Sequence, residues 1–247
     1  MKSRTSALVL NIAFSLLAGQ WLFSQGPIQP ASAAVPSQPS LMESIKKTVV
    51  FLQSNCIETD STGKQQIKSY AATGFLVAVT DPKLNGRAFT YLVTNRHLAE
   101  PGIEDGHACQ PVSYYLRADM KVAVSGSYSA VVQMPANTLS WTYASDPSVD
   151  LAITPISIDP EKADVVFLPS TLLMSDADIV QNKVEEGDSV LFTGLFVQMV
   201  GQSHSEPIVR EGKIAMMPKE QIPTTLRLLG DVYLVDCHVF GGNSGSP

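Results

Sequence analysis

The 247-residue sequence is poor in cysteine and in charge, with three cysteines and only 16% Asp, Glu, Lys and Arg together. Three cysteines are too few for a disulfide scaffold, and the composition, without any internal repeat, excludes a fibrous or collagenous chain. Basic residues are also scarce, at 17 against 23 acidic ones. Because no Lys/Arg stripe could neutralise a phosphate backbone, we expect no nucleic-acid partner. Hydrophobic residues make up 45% of the chain, which is enough to bury a core.

The first 33 residues have the pattern of a signal peptide. Lys2 and Arg4 form a short positive region, an apolar run follows at 7–18, and Ala31-Ser32-Ala33 is the small-x-small pattern of a signal-peptidase site. We predict cleavage after Ala33 and export of the mature chain. The mature chain keeps 15 basic against 23 acidic residues, a net charge of −8, and is therefore acidic.

A retained membrane anchor is the alternative for this segment. Asn11, Ser15 and Gln20 interrupt it, and its apolar run is shorter than the ~18 to 20 residues that a span requires. We therefore favour a cleaved signal, with no stable membrane span afterwards. The sequence has no Asn-x-Ser/Thr sequon, and its alanine-rich cleavage site suits a bacterial exporter. A periplasmic or secreted location is predicted.

Export places the cysteines in an oxidising compartment, where disulfides persist. The number of cysteines is odd, so one of Cys56, Cys109 and Cys237 stays free or pairs outside the chain. We prefer a Cys56–Cys109 disulfide, because these two bracket the segment around His97.

Strand signals dominate the mature chain after a flexible, Pro/Ser-rich lead-in at 34–40. Apolar runs flank turn residues between 73–80 and 88–94, which predicts an antiparallel hairpin. Helix is expected only as a turn after His97 and as short pieces at 41–46 and 161–164. The other predicted strands are 47–53, 112–117, 128–133, 149–156, 189–195, 208–216 and 232–238. Such short strands, separated by Gly and Pro, indicate one antiparallel all-β domain, a sandwich or a barrel.

The most unusual segment is Phe240-Gly241-Gly242-Asn243-Ser244-Gly245-Ser246-Pro247. Glycine permits positive φ, so that consecutive N–H groups can point at one spot, and a serine there would be a nucleophile beside an oxyanion hole. Judged alone, the segment is more often a flexible turn.

A nucleophilic serine needs a base, and the chain has four histidines. His97 ends an apolar strand where a loop or short helix begins, a place that presents a side chain to a cleft. His107 and His204 lie in polar loop segments, and His238 lies six residues before Ser244. A single histidine is more often a surface or core residue than a catalyst.

Asp150 supplies a carboxylate that could orient the base. Asp150 lies within the apolar run 149–153, where a carboxylate is costly unless it has a partner. A solvated position in a loop before the strand is an equally good interpretation of this residue. The order His97, Asp150, Ser244, with separations of 53 and 94 residues, is the chain order of chymotrypsin-type enzymes.

The motifs resemble those of trypsin-like (chymotrypsin-fold) serine peptidases, particularly the exported bacterial branch that includes the HtrA/Deg proteases. The matching blocks lie at 73–77, 93–97, 150–153 and 242–247, and the resemblance runs from about residue 45 to the last residue. It implies a double six-stranded antiparallel β-barrel over 41–247. In that family the second barrel continues with further strands, so the resemblance implies that this stretch lacks the last ones.

The resemblance also implies roles for individual residues. Ser244 would attack the scissile carbonyl, His97 would act as general base and acid, and Asp150 would orient the imidazole. The N–H groups of Gly242 and Ser244 would form the oxyanion hole. Proteins or peptides would be the substrates, and no metal or organic cofactor would be needed.

Two positions depart from common patterns of the family. Asn243 stands where animal digestive enzymes carry an aspartate, and Ser246 replaces the usual second glycine after the nucleophile.

Two functions other than that of an endopeptidase remain open. A protease-like binding protein without activity is the main alternative. An envelope structural protein or adhesin would explain the export and the strands, but not the joint placement of three catalytic residue types. The sequence leaves substrate specificity and oligomeric state open.

Overall fold

The structure is a computed structural model that describes residues 40–106, 109–238 and 241–247. The predicted signal peptide and all but the last residue of the predicted lead-in lie outside the described residues, as does His107. In the part of the chain that is described, no helix is long and apolar enough to cross a membrane.

Strands dominate the described chain, and the helices are short. The helices are α1 (Leu41–Lys46), α2 (Arg96–Ala99) and α3 (Asp176–Gln181). The strands are β1 (Val49–Thr59), β2 (Gln65–Asp81), β3 (Arg87–Thr94), β4 (Cys109–Val124), β5 (Ser127–Pro135), β6 (Thr142–Tyr143), β7 (Ala152–Pro155), β8 (Leu168–Pro169), β9 (Ser189–Gly194), β10 (Ile208–Met216), β11 (Ile222–Pro223), β12 (Leu229–Gly230) and β13 (Leu234–Cys237). The predicted all-β fold class is confirmed.

The larger sheet has the strand order β5-β4-β1-β2-β3-β7-β6, in which neighbouring strands are antiparallel. The short strand β8 pairs with β2 in parallel. The predicted β2–β3 hairpin is present, and the intervening turn follows from its residues. Asp81 caps a 3₁₀ turn at Pro82–Leu84, and Asn85 and Gly86 take positive φ, a conformation that Asn and Gly tolerate best.

The core of this sheet consists of aliphatic side chains from the alternating inward positions of β1, β2, β3 and β4. Its members are Val50, Leu52, Ala72, Leu76, Leu92, Leu98, Leu116 and Ala118, each at most 8% exposed. Leu98 belongs to α2 and is 1% exposed. Burying a leucine side chain stabilises a fold by about 1.5–3 kcal/mol, so this contact anchors the helix that carries His97.

A second sheet has the order β13-β10-β9, and β11 and β12 form a separate hairpin. The prediction at 208–216 matches β10 in both bounds. The strand predicted at 149–156 is shorter, Ala152–Pro155, which leaves Asp150 in the preceding loop.

Two helix expectations need correction. Residues 161–164 form a turn and a β-bridge between Met120 and Ala163 and no helix, because hydrogen bonds with Asp119 and Lys121 hold the segment beside strand β4. The sequence reading missed α3, although Ser175 and Asp178 form a capping box at its start, a recognisable helix signal.

Candidate active site

His97 is held in place by the short helix that begins directly after β3. Leu98 and Ala99, the two residues that follow it, are 1% and 2% exposed and pack into the core. The hydroxyl of the buried Tyr114 donates a hydrogen bond of 2.6 Å to the Ala99 carbonyl, which ties the end of the helix to β4. The His97 side chain therefore sits on a fixed support and is itself 15% exposed.

Asp150 lies beside His97 and receives hydrogen bonds on both carboxylate oxygens. Its Oδ1 accepts the backbone N–H of His97 at 3.0 Å, and its Oδ2 lies 2.7 Å from His97 Nδ1. Thr225, at the tip of the β11–β12 hairpin, donates its hydroxyl to Oδ2 at 3.0 Å. The side-chain amide of Asn95 donates to the Asp150 backbone carbonyl at 2.8 Å. The carboxylate is therefore fixed by His97 on α2 and by the β11–β12 hairpin, while Asn95 fixes the Asp150 backbone.

The contact shifts the pKa of both side chains. Burial alone would lower the pKa of His97, but the hydrogen bond and charge of Asp150, with a smaller contribution from the charge of Glu104, outweigh it and raise that pKa above 6.5. Burial alone would raise the pKa of Asp150, but its hydrogen bonds to His97 and Thr225 and the charge of His97 hold it below its ordinary value. Asp150 is therefore ionised at neutral pH, and its negative charge favours a proton on His97 Nδ1.

Ser244 is exposed in a tight loop between β13 and the last described residue. Gly242 has φ +99° and Gly245 has φ +81°, values that L side chains rarely adopt. A β-carbon on Gly245 would lie 2.2 Å from the Thr73 carbonyl oxygen, so the loop also needs glycine for its close approach to β2. The fold thus presents the serine at the surface while its neighbours pack inward.

Hydrogen bonds from Thr73, on β2, hold the backbone of this loop. Thr73 donates its N–H to the Ser244 carbonyl at 2.8 Å and its hydroxyl to the Gly242 carbonyl at 2.7 Å. The N–H of Ser246 donates to the Asn243 carbonyl at 2.9 Å. Because the two sides of a trans peptide point in opposite directions, the N–H of Ser244 points away from that last bond.

The structure brings His97 and Asp150 into direct contact, but Ser244 is not hydrogen-bonded to the imidazole in the described residues. Catalytic hydrogen bonds often form fully only in the reacting complex, so a missing bond between nucleophile and base is compatible with a catalytic triad. The amide nitrogen and oxygen of Asn243 are buried and have no hydrogen-bond partner among the described atoms.

The other described histidines and the two paired cysteines are not part of the His97–Asp150 contact. The His204 ring stacks on Tyr128, with centroids 4.4 Å apart, and its Nδ1 is 3.5 Å from Asp119. His238 is exposed at the end of β13. Cys56 and Cys109 form a disulfide between β1 and β4. Within the described ranges, no group of three or more His, Cys, Asp or Glu side chains is arranged to hold a metal ion.

Sequence reasoning missed Thr73, Thr225 and Asn95 as members of the site. Asn95 and Thr73 lie within the segments that were singled out, next to His97 and Gly74, so proximity to those motifs was an available signal. Thr225 lies in a polar stretch with no motif, and only the hairpin brings it to Asp150.

No family model matches the chain, and no curated protein matches it in sequence. Among solved structures it is similar to Deg5, with a TM-score of 0.48 and 17% identity over 83% of this chain and 75% of that one. It is also similar to the MamO protease domain from Magnetospirillum magneticum in its apo form, with a TM-score of 0.37 and 14% identity over 79% and 71% of the two chains. Because both TM-scores and both sequence identities are low, these similarities carry no conclusion about function.

Proposed function

We propose that this protein is a serine endopeptidase that uses His97, Asp150 and Ser244. The observation that carries the proposal is the His97–Asp150 pair, in which the carboxylate binds both the ring and the backbone N–H of the histidine. An ordinary surface ion pair needs only one such contact. The second contact fixes the ring so that Nε2, the nitrogen that does not face Asp150, is available as a base.

In the proposed reaction, the Ser244 hydroxyl attacks the carbonyl carbon of a peptide bond while His97 Nε2 accepts its proton. The charge of Asp150 stabilises the imidazolium that forms. His97 then returns the proton to the leaving amine, which breaks the C–N bond and leaves an acyl-enzyme that water hydrolyses. The N–H groups of Gly242 and Ser244 stabilise the oxyanion, a contribution of roughly 3 kcal/mol for each donor.

The competing proposal is a protease-like binding protein without activity. The absence of a hydrogen bond between His97 and Ser244 in the described residues favours it. The orientation of the His97 ring by Asp150 favours the enzyme, because a binding surface gains nothing from orienting this imidazole.

Labelling with a fluorophosphonate separates the two, since only a serine activated by its base and oxyanion donors reacts quickly. We expect the full chain to be labelled and Ser244→Ala to be unlabelled, with hydrolysis of unfolded casein reduced by on the order of 10⁶. Ser246→Ala is the matched control: it removes a hydroxyl from the same loop, and that hydroxyl is buried and has no partner among the described atoms. A folded chain that is not labelled would support the binding protein, and equal labelling of Ser244→Ala would remove Ser244 from the mechanism.

We further propose that the protein acts outside the cytoplasm. The signal-like segment at 1–33 and the Cys56–Cys109 disulfide support this location, because disulfides persist in oxidising compartments. The mature protein recovered from an expressing bacterium should begin at Ala34 by N-terminal mass spectrometry and be found outside the inner membrane. An intact Met1 in the cytoplasm would contradict the proposal.

A further inference from the structure

Thr73 is a fully buried polar residue that contacts the serine loop in two places. It is 0% exposed and lies on β2, far from Ser244 in sequence. Its N–H binds the Ser244 carbonyl and its hydroxyl binds the Gly242 carbonyl. The two bonds span Asn243, so one residue holds both ends of the segment that carries the nucleophile.

The hydroxyl of Thr73 has a second partner. It accepts the N–H of Leu195 at 2.7 Å, at the end of β9 in the second sheet. Its single proton is therefore committed to the Gly242 carbonyl. The Thr73 carbonyl in turn accepts the hydroxyl of Thr94, on β3, at 2.8 Å. Thr73 thus joins the sheet that supports His97 to the sheet from which the serine loop begins.

These bonds determine where the N–H of Ser244 points. That N–H belongs to the peptide between Asn243 and Ser244, and Thr73 fixes the peptide planes on both sides of it. The Ser246 N–H fixes the carbonyl of the same peptide. A planar trans peptide that is bound at its carbonyl and flanked by two fixed planes cannot rotate, so its N–H stays directed away from the Ser246 N–H that binds that carbonyl. Among the described residues, no backbone acceptor is hydrogen-bonded to this N–H.

We propose that the Thr73 hydroxyl is a positioning residue for the oxyanion hole, holding the Gly242–Ser244 backbone in the conformation that presents its N–H groups to the developing negative charge. The proposal rests on the proposed function. Thr73 does not touch the substrate. Its hydroxyl bonds both the Gly242 carbonyl and the Leu195 N–H, and so fixes the position of that carbonyl. Threonine suits this role because its branched β-carbon restricts the side chain to few rotamers, which keeps the hydroxyl aimed.

The test compares Thr73→Val, which keeps the shape and removes the hydroxyl, with Thr73→Ser, which keeps the hydroxyl and removes the methyl group. Thr48→Val is a control for stability, since Thr48 is a buried threonine whose hydroxyl binds the Ile45 carbonyl away from the site. Each full-length protein is labelled with a fluorophosphonate over a range of probe concentrations and pH. The maximal labelling rate and the half-saturating concentration are then compared, after correction for the folded fraction.

We expect Thr73→Val to lower the maximal rate by roughly 10- to 100-fold, with the half-saturating concentration changed less than about twofold, because a misplaced oxyanion donor affects the transition state most. The pH midpoint should stay unchanged, since the His97–Asp150 contact does not involve Thr73. Thr73→Ser and Thr48→Val should label within about threefold of the natural protein.

The outcomes separate the two proposals. If the natural protein labels at Ser244 and Thr73→Val labels equally fast, the role of Thr73 is refuted and the proposed function stands. If Thr73→Ser is as slow as Thr73→Val, the hydroxyl is not the determinant and the role is again refuted. If the folded natural protein does not label, the proposed function fails, and the role of Thr73 fails with it.

Discussion

Replacing Asp150 by asparagine tests the proposed catalytic centre with the smallest change in shape. The carboxylate Oδ1 accepts the His97 backbone N–H, and an asparagine oxygen can still do so. At the other position an NH₂ group would replace Oδ2, which now faces His97 Nδ1 at 2.7 Å and the Thr225 hydroxyl at 3.0 Å. An NH₂ group donates only, so Nδ1 would have to accept a hydrogen bond and the ring proton would move to Nε2.

The expected loss follows from that tautomer. With its proton on Nε2, His97 cannot accept the proton of Ser244. The same change in serine proteases lowers kcat by about 10⁴, or about 5.5 kcal/mol in the activation free energy. The free energy of unfolding should change much less, because the backbone contact and the packing are kept.

The pH profile gives a second and independent readout. In the natural protein the pKa of His97 is raised above 6.5, so kcat/KM should increase with pH through one ionisation above that value, as the imidazole loses its proton. In Asp150→Asn the hydrogen bond and charge that raise this pKa are gone and burial remains. The midpoint of the residual activity should therefore move to lower pH.

Asp146→Asn is the matched control. Asp146 lies in the same loop and is exposed, and its Oδ1 accepts both the N–H and the hydroxyl of Ser148, which an asparagine oxygen can also do. Steady-state hydrolysis of an uncharged peptide substrate from pH 5 to 10 should leave this variant close to the natural protein. A kcat for Asp150→Asn within tenfold of the natural value, with the same pH midpoint, would refute the assigned role of the carboxylate.

Three further changes give independent tests. Thr225→Val removes one hydrogen bond to the Asp150 carboxylate and should lower kcat about fivefold; an unchanged kcat would show that the hairpin is not part of the site. Gly245→Ala should lower the free energy of unfolding by at least about 2 kcal/mol, because φ is +81° and its β-carbon would lie 2.2 Å from a backbone oxygen. Gly241→Ala is the control for this change, because its β-carbon would meet nothing within 4 Å among the described residues, and it should melt like the natural protein. Replacing Cys56 and Cys109 together by alanine should cost about 4 kcal/mol in urea unfolding, since the disulfide closes a loop across a sequence separation of 53 residues.

Local sequence determined the strands and several of the turns. The hairpin between β2 and β3 follows from apolar runs that flank Asp81-Pro82 and Asn85-Gly86, and β10 was located to the residue. Such features depend on side-chain alternation and on the φ preferences of a few residues, which are properties of short segments. The helix at 161–164 was a wrong prediction because a contact with β4, distant in sequence, decides the conformation there.

The three residues of the proposed triad were also selected from the sequence, because their order and surrounding motifs can be read along the chain. Their geometry could not be read in this way. The contact between His97 and Asp150 joins residues 53 positions apart, and that between Thr73 and Gly242 joins residues 169 positions apart. Thr225 reaches the carboxylate only through the β11–β12 hairpin.

The sequence by itself therefore determined that the chain folds into antiparallel sheets, and it singled out the side chains proposed for the chemistry. Only the tertiary structure decided that the Asp150 carboxylate binds both the backbone N–H and the ring Nδ1 of His97, and that a buried threonine holds the serine loop. The physical reason is that a hydrogen bond depends on distance and direction to within a few tenths of an ångström. Those quantities are fixed by how the sheets pack, and the packing is a property of the whole core, which no short segment contains.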